Sequence, residues 1–369
     1  VLGALQCLRY SLRGDGLGAL AGLTNLTTLE LPRNKLTLKQ AQPLTACQAL
    51  EHLRVELPPR PVDGVLAFYS KFPKLKEINL ASLPLDNRRL EFLKNCPNLE
   101  TLTLAGQWVG DAGLTHVASL KNLRVLRLRS SLVSAEGLKS LSGLEELQEL
   151  ELAIPRVNDA GFAHLRGLTK LERLKVTNSQ LTDKGMGNFR EFSKLIELEL
   201  PNADIGDAGV SNLGSLKELE FIDLSGTRVT DGCLKSFTQL EELRKLALQY
   251  TAVTGKGFEV LEKLPRLSRV LLNYAQIDDA GATALARLQI LEQLELEGSV
   301  LTDAGVAKLK LLPVLSIIVL NDNKAITDKA VISLVQFPLL TEVHVKKTNL
   351  TATGISELKK VDTLQVFAD

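Results

Sequence analysis

The sequence has 369 residues, with 44 Lys and Arg against 43 Asp and Glu, so the formal net charge is only +1. This balance argues against a nucleic-acid-binding protein, which needs a basic surplus to displace counterions. An apolar fraction of 45% excludes wholesale disorder. The longest apolar stretch, Leu311 to Leu320, is too short and too interrupted to span a bilayer.

A leucine recurs every 24 residues from Leu2 to Leu364, with intervals of 25 residues after Leu50 and after Leu315. Counted from this leucine as position 1, apolar residues recur at positions 1, 4, 6, 11, 16, 19 and 22. Positions 4 and 6 predict one buried face of a short strand. Positions 16, 19 and 22 predict a helical turn that faces the same core. One repeat cannot bury its apolar face alone, so the repeats must stack along one axis.

This stacking predicts an α/β solenoid with parallel strands in one curved sheet on the concave side and short helices on the convex side. We expect a single domain of about 15 repeats over residues 1–369. The chain begins almost on a repeat boundary and stops within a repeat, without the polar caps that solenoids need. The pattern at the two ends therefore predicts a fragment of a longer protein, or ends covered by a partner.

The pattern Leu-x-x-Leu-x-Leu resembles that of leucine-rich repeats and covers essentially the whole chain. The second half of each repeat, as in Leu301-Thr302-Asp303-Ala304-Gly305-Val306, is similar to bacterial arrays of the planctomycete type and to the repeats of F-box-associated proteins. The resemblance implies a right-handed horseshoe that binds other proteins. Thr227, Thr251 and Ser299 stand where many such families place Asn, so their hydroxyls would have to take over the turn-bonding role.

A proline-rich segment and the four cysteines are two further features of the sequence. The repeat that begins at Leu50 holds an extra residue and the proline-rich segment 57–61, which we expect to bulge beside the sheet, because proline cannot donate to a ladder. The four cysteines occupy inward or small-residue positions: Cys7 is at position 6, Cys47 and Cys96 are at position 22, and Cys233 replaces a glycine. We expect core-like free thiols without a disulfide.

An aspartate recurs just before the helical part of the repeat, as in Asp207, Asp231, Asp279 and Asp303. We expect it to accept hydrogen bonds from the first free N–H groups of its own helix. A calcium ladder is the alternative, but each repeat offers only one carboxylate where calcium needs several oxygens. Glycine follows two residues later, which predicts a helix start packed closely against the strand layer.

No sequence motif for a nucleophile, a phosphate loop, a dinucleotide site or a zinc site is present, so we predict no catalytic, cofactor-binding or metal-binding residues. On the outward face of the sheet, positions 3 and 5 of the middle repeats alternate in charge and predict lateral ion pairs. These are Arg127, Glu149, Glu151, Arg173, Lys175, Glu197 and Glu199.

The second half of the chain differs, because apolar and aromatic residues appear at the outward positions 3, 5 and 8. Tyr250 and Tyr274 share position 8 in consecutive repeats and should lie side by side. An apolar patch within a polar rim indicates a partner-binding surface, for which tyrosine is a common anchor. The predicted partner-binding residues are Tyr250, Leu271, Tyr274, Ile317, Val319, Phe221 and Arg269.

The predicted function is therefore a non-enzymatic scaffold that binds a protein or peptide partner on its concave sheet, without a cofactor, nucleic acid or membrane span. Two alternatives remain open at this point. The chain could be the recognition module of a larger enzyme or signalling protein. It could also be a glycan-binding surface protein in which Tyr250 and Tyr274 are stacking platforms. The partner, the compartment and the oligomeric state are not determined by the sequence.

Overall fold

A computed structural model describes residues 6–9, 14–56, 62–81, 83–130 and 132–369. The chain divides into two compact units, residues 1–171 and residues 172–369. Both units are built from parallel strands that alternate with short helices, which confirms the predicted α/β repeat fold. The proline-rich segment 57–61 lies outside the described residues, and the single solenoid over 1–369 stays a prediction.

The first unit contains strands β1–β7 and α-helices α1–α4 among its described residues. The strands are β1 (Cys7–Arg9), β2 (Thr28–Lys35), β3 (His52–Glu56), β4 (Glu77–Asn79), β5 (Thr101–Ala105), β6 (Val125–Arg129) and β7 (Glu149–Ala153). The helices are α1 (Leu38–Ala41), α2 (Val62–Tyr69), α3 (Asp111–Val117) and α4 (Asp159–Ala163), with 3₁₀ helices at Gly14–Gly22, Gln42–Ala46, Arg88–Asn95 and Glu136–Leu141. Strands β1–β3 form one sheet and β4–β7 another, and the break falls in the repeat with the extra residue.

The second unit contains strands β8–β16 in chain order within one parallel sheet. The strands are β8 (Arg173–Thr177), β9 (Glu197–Glu199), β10 (Phe221–Asp223), β11 (Lys245–Ala247), β12 (Arg269–Leu271), β13 (Gln293–Glu295), β14 (Ile317–Val319), β15 (Glu342–His344) and β16 (Gln365–Phe367). The helices are α5 (Asp207–Val210), α6 (Asp279–Leu285), α7 (Asp303–Leu309), α8 (Val331–Leu334) and α9 (Ala352–Leu358), with 3₁₀ helices at Gly185–Glu191, Ser211–Ser215, Asp231–Phe237, Phe258–Leu261 and Asp328–Ala330.

The core lies between the strands and the helices and is almost entirely aliphatic. Every described position-1 leucine is buried, from Leu26 to Leu364, and so are the inward residues at positions 4 and 6 of the strands, such as Leu126 and Leu128. Strand residues with odd position numbers point away from this core. We call the sheet surface that they form the open face.

Pairing corrects the predicted phase at both ends of the chain. Cys7 pairs with Thr28, which is a position-3 residue, so Cys7 lies on the open face and is exposed rather than buried at position 6. At the other end, Glu342 pairs with Gln365 instead of Val366, so β16 is displaced by one residue from the 24-residue spacing. A one-residue displacement moves a side chain to the other face of a strand, and it brings Phe367 beside His344 on the open face.

The aspartate column links one repeat to the next, contrary to the prediction that each aspartate caps its own helix. Thr327 donates its hydroxyl to Asp303 Oδ2 at 2.7 Å and its backbone N–H to Asp303 Oδ1 at 2.8 Å. The helix cap is the threonine itself, whose side-chain oxygen accepts the N–H of Lys329. The same aspartate–threonine pairing joins Asp207 to Thr230, Asp231 to Thr254, Asp279 to Thr302 and Asp328 to Thr351.

The glycine two residues after the aspartate is explained by the same link. A Cβ atom on Gly305 would collide with the carboxylate of Asp279 in the preceding repeat and with the side chain of Leu301. The helix start is therefore closely packed as predicted, but against the aspartate of the preceding repeat and the loop residue Leu301 and not against the strand layer.

Candidate protein interface

Strand pairing in the second unit brings the predicted partner-binding residues into adjacent rows of the open face. Position 3 runs from Phe221 through Lys245, Arg269 and Gln293 to Ile317. Position 5 runs from Asp223 through Ala247, Leu271 and Glu295 to Val319. Neighbouring strands lie about 4.8 Å apart, so these side chains share one surface.

Tyr250 and Tyr274 follow β11 and β12 and form a stacked pair, as predicted. Their ring centroids are 4.8 Å apart and the rings are inclined by only 10°. Both backbones are left-handed, with φ of 55° for Tyr250 and 57° for Tyr274. This conformation favours glycine and asparagine and costs a bulkier residue on the order of 1 kcal/mol or more.

Position 8 is a left-handed turn in repeat after repeat of the second unit, so the conformation belongs to the fold. The residues with positive φ at this position are Asn178, Asn202, Gly226, Tyr250, Tyr274, Gly298, Asp322 and Lys347. Asparagine, aspartate and glycine are ordinary at such a turn, whereas two consecutive tyrosines are not. The strain makes the tyrosine pair the first candidate for a functional feature on this face.

Contacts in the next repeat hold Tyr274 in place. Its hydroxyl donates to Glu297 Oε1 at 2.8 Å, and its ring occupies the space that a side chain on Gly298 would need. The hydrogen bond to the Glu297 carboxylate, followed by desolvation, raises the pKa of Tyr274 to about 12, because the neutral phenol is the better donor. Tyr274 therefore forms a fixed base for the ring of Tyr250.

Tyr250 keeps one ring face uncovered and is 61% exposed. Side chains at position 8 lie against the same position of the following repeat, as Asn202 does at Gly226 and Tyr274 at Gly298. The residue that would cover the outer face of Tyr250 by this rule is Gly226, which has no side chain. The pair is thus supported on one side and open on the other.

Leu271 corrects the prediction of an exposed apolar patch, because it is only 8% exposed. Ala247, its neighbour at position 5 in β11, is 5% exposed. Ala247 and Leu271 are therefore an apolar floor and not a protruding anchor.

Ile317 and Val319 are half-buried in β14 and are separated from this floor by the polar strand β13. Within that strand, Glu295 accepts hydrogen bonds from Gln293 Nε2 at 2.8 Å and from Asn273 Nδ2 at 2.6 Å. The seven predicted residues therefore do not form one continuous apolar patch.

Ile317 and Val319 adjoin β15 and an aromatic contact that the sequence did not reveal. His344 stacks on Phe367 at 4.4 Å between centroids, and His344 Nε2 lies 2.5 Å from Glu342 Oε1. The 24-residue count places Phe367 at an inward position, so the displacement of β16 hid this contact.

The family model for the leucine-rich repeat region matches residues 79–366. The chain belongs to the leucine-rich repeat proteins. An internalin from Listeria monocytogenes is 20% identical with a TM-score of 0.52, over 100% of this chain and 87% of its own. A leucine-rich repeat protein from Leptospira interrogans is 18% identical with a TM-score of 0.59, and the match covers 99% of this chain and 96% of that one. The functional domain of InlJ from Listeria monocytogenes is 18% identical with a TM-score of 0.52, and the match covers 88% of this chain and 69% of that one.

These likenesses concern the fold alone, since all three identities are below 25%. Comparison with curated protein sequences gives no match. The leucine-rich repeat fold is that of a protein-interaction module, and proteins of this family are typically non-enzymatic. The planctomycete-type detail of the repeats stays a prediction.

The hydroxyl groups predicted to replace asparagine form the turn bond at Thr227 and Thr251, but the hydroxyl of Ser299 is buried without a hydrogen-bond partner among the described residues. Thr227 and Thr251 donate their hydroxyls to the carbonyls of Leu224 at 2.6 Å and Leu248 at 2.7 Å, which closes the turn within one repeat. Asn323 does more, because its amide reaches Leu320 O at 3.0 Å in its own repeat and Leu296 O at 2.8 Å in the preceding one.

Two pairs of the predicted charge ladder are confirmed. Arg127 binds Glu149 at 2.5 Å in the first unit, and Lys175 binds Glu199 at 2.5 Å in the second. Within the described ranges, no cluster of three or more His, Cys, Asp and Glu side chains could hold a metal ion. No helix formed by these residues is long and apolar enough to cross a membrane.

Proposed function

We propose that this leucine-rich repeat protein is a non-enzymatic scaffold that binds a protein or peptide partner on the open face of its second unit. The observation that carries the proposal is the stacked pair of Tyr250 and Tyr274, placed at turns where tyrosine is strained and left open on one ring face. A rigid tyrosine supplies contact area at low entropic cost and is common among residues that dominate binding energy.

The surface around the pair suits a partner more than it suits catalysis. Its carboxylates are engaged, Glu295 with two amides and Glu297 with the hydroxyl of Tyr274. The site has an aromatic pair, a covered apolar floor and a polar rim, which is the usual composition of a protein interface. The outward sheet surface, which the sequence predicts to be concave, is the proposed binding side.

The test compares capture of partners by the wild-type protein and by the double variant Tyr250→Asn with Tyr274→Asn. Asparagine is chosen over alanine because Asn178 and Asn202 already adopt this left-handed turn, so the rings are removed while the backbone is preserved. The matched control is Leu311→Asn with Ile332→Asn, which removes two side chains that are 63% and 66% exposed outside the strands.

Proteins bound by wild type and control but lost from the tyrosine variant are then measured by calorimetry. We expect binding to weaken at least fivefold, which corresponds to about 1 kcal/mol, with circular dichroism unchanged. Equal binding by the tyrosine variant and the wild type would exclude this surface. A glycan array with the same three proteins separates the alternative, since tyrosine-dependent binding to sugars alone would favour a glycan-binding protein.

A further inference from the structure

Lys245 and Arg269 are adjacent cations on the open face that have no anionic partner among the described residues. They lie directly opposite each other in the pairing of β11 with β12. The Lys245 ammonium stands 4.4 Å from the centroid of the Phe221 ring. Neither side chain forms an ion pair or hydrogen bond with any residue that the structure describes.

This arrangement differs from the charge ladder of the middle repeats. There Lys175 has Glu199 and Arg127 has Glu149 in the next strand. Like charges directly opposite each other in adjacent strands are destabilising. An anion bound between Lys245 and Arg269 would relieve this repulsion, so the pair favours a ligand that carries negative charge.

The surroundings determine what kind of anion fits. Next to the cations along the strands lie Ala247 and Leu271, which form the apolar floor, and beyond them stand Tyr250 and Tyr274. The strand positions 3 to 5 span about 7 Å at roughly 3.3 Å per residue, and the two tyrosines follow at the left-handed turn after each strand. Phe221 adds an apolar edge beside the charge.

We propose that Lys245 and Arg269 bind the carboxylate of an acidic, extended segment of the partner protein, whose neighbouring apolar residue lies over Leu271 and against Tyr250. This inference rests on the proposed function and names the partner's chemistry at the same surface. Two cations in a chain with a net charge of +1 are too few for a nucleic acid or other polyanion, which requires a basic stripe. A single side-chain carboxylate matches two cations.

The test uses a fluorescent library of eight-residue peptides with a central Glu flanked by Leu, Tyr, Phe or Pro, paired with the same peptides carrying Gln. Binding is measured by polarisation to wild type, to Lys245→Gln with Arg269→Gln, and to the control Lys263→Gln with Lys359→Gln. Both control lysines are exposed outside the strands, and the two double variants have the same net charge.

We expect Glu peptides to bind wild type and control at least tenfold more tightly than Gln peptides, and the Lys245/Arg269 variant to lose this preference. Affinity for Glu peptides should also fall as salt rises. Equal binding of Glu and Gln peptides, an unchanged variant, or no Glu-dependent binder in the library would overturn the inference. Tighter binding of a sulfated oligosaccharide, used as competitor, would overturn it in favour of a polyanion.

The outcomes separate this inference from the proposed function. If the tyrosine variant loses its partners while the Lys245/Arg269 variant retains them, the proposed interface is supported and the proposal of an acidic partner segment is refuted. If the affinity for Glu peptides is unchanged in Tyr250→Asn with Tyr274→Asn, the cation pair acts without the tyrosine pair and the proposed function is wrong about the tyrosines.

Discussion

The aspartate–threonine link between repeats gives a sharp prediction about stability. Asp303 accepts both the hydroxyl and the backbone N–H of Thr327, and both residues are half-buried. Hydrogen bonds to a charged group contribute roughly 1.5–3 kcal/mol each, less where water can replace the lost acceptor. We therefore expect Asp303→Ala to lower the free energy of unfolding by about 2 kcal/mol.

The assay is urea unfolding of the full chain, monitored by circular dichroism. Hydrogen exchange of the backbone amides is measured separately for each repeat. Repeat proteins are stabilised by nearest-neighbour interfaces, so exchange should accelerate first in the repeats that contain Asp303 and Thr327. Asp303→Asn should cost less, because its amide oxygen still accepts the Thr327 N–H. Thr327→Val combined with Asp303→Ala should cost less than the sum of the two single variants.

A matched control is Asp204→Ala, which removes an exposed carboxylate that also pairs across repeats, with Arg228. Exposed ion pairs contribute about 0–1 kcal/mol, so this variant should remain near wild type. If Asp303→Ala and Asp204→Ala have the same small effect, the aspartate column does not couple the repeats and the reasoning is refuted.

Two further predictions follow from burial and charge. The exposed Cys7 should react rapidly with a thiol reagent, while the buried Cys47, Cys96 and Cys233 should react only on unfolding. Burial raises the pKa of the Cys96 thiol to about 11 and also raises the pKa values of Cys47 and Cys233. Fast reaction of more than one thiol in the native protein would contradict this prediction. Stability should fall on acidification below about pH 4, because the Thr351 hydroxyl and N–H hold the pKa of Asp328 below its ordinary value of 3.8. A lowered folded-state pKa gives stability that is present above the unfolded value and lost as the pH falls through the folded one; a urea midpoint that does not change between about pH 5 and 2 would exclude it.

The candidate site shows how far sequence reasoning reaches. The stack of Tyr250 on Tyr274 follows from the repeat count alone, because equal positions in consecutive parallel strands are neighbours. The burial of Leu271 does not follow, since the pattern assigns it to the open face and the structure leaves it only 8% exposed. Phe367 was missed because one displaced residue in β16 changes the face on which it lies.

The leucine period by itself determined the fold of this protein: parallel strands and short helices, with a leucine at each repeat buried in a shared core. It could do so because alternation and helical spacing dictate which face of each element is apolar, and a face of that kind has to be covered. The tertiary structure alone decided that position 8 is a left-handed turn, that Asp303 binds the next repeat's threonine, and that Lys245 and Arg269 have no carboxylate partner in the described part of the chain. Each of these depends on contacts between residues one full repeat apart, and such contacts are settled only when the repeats pack together.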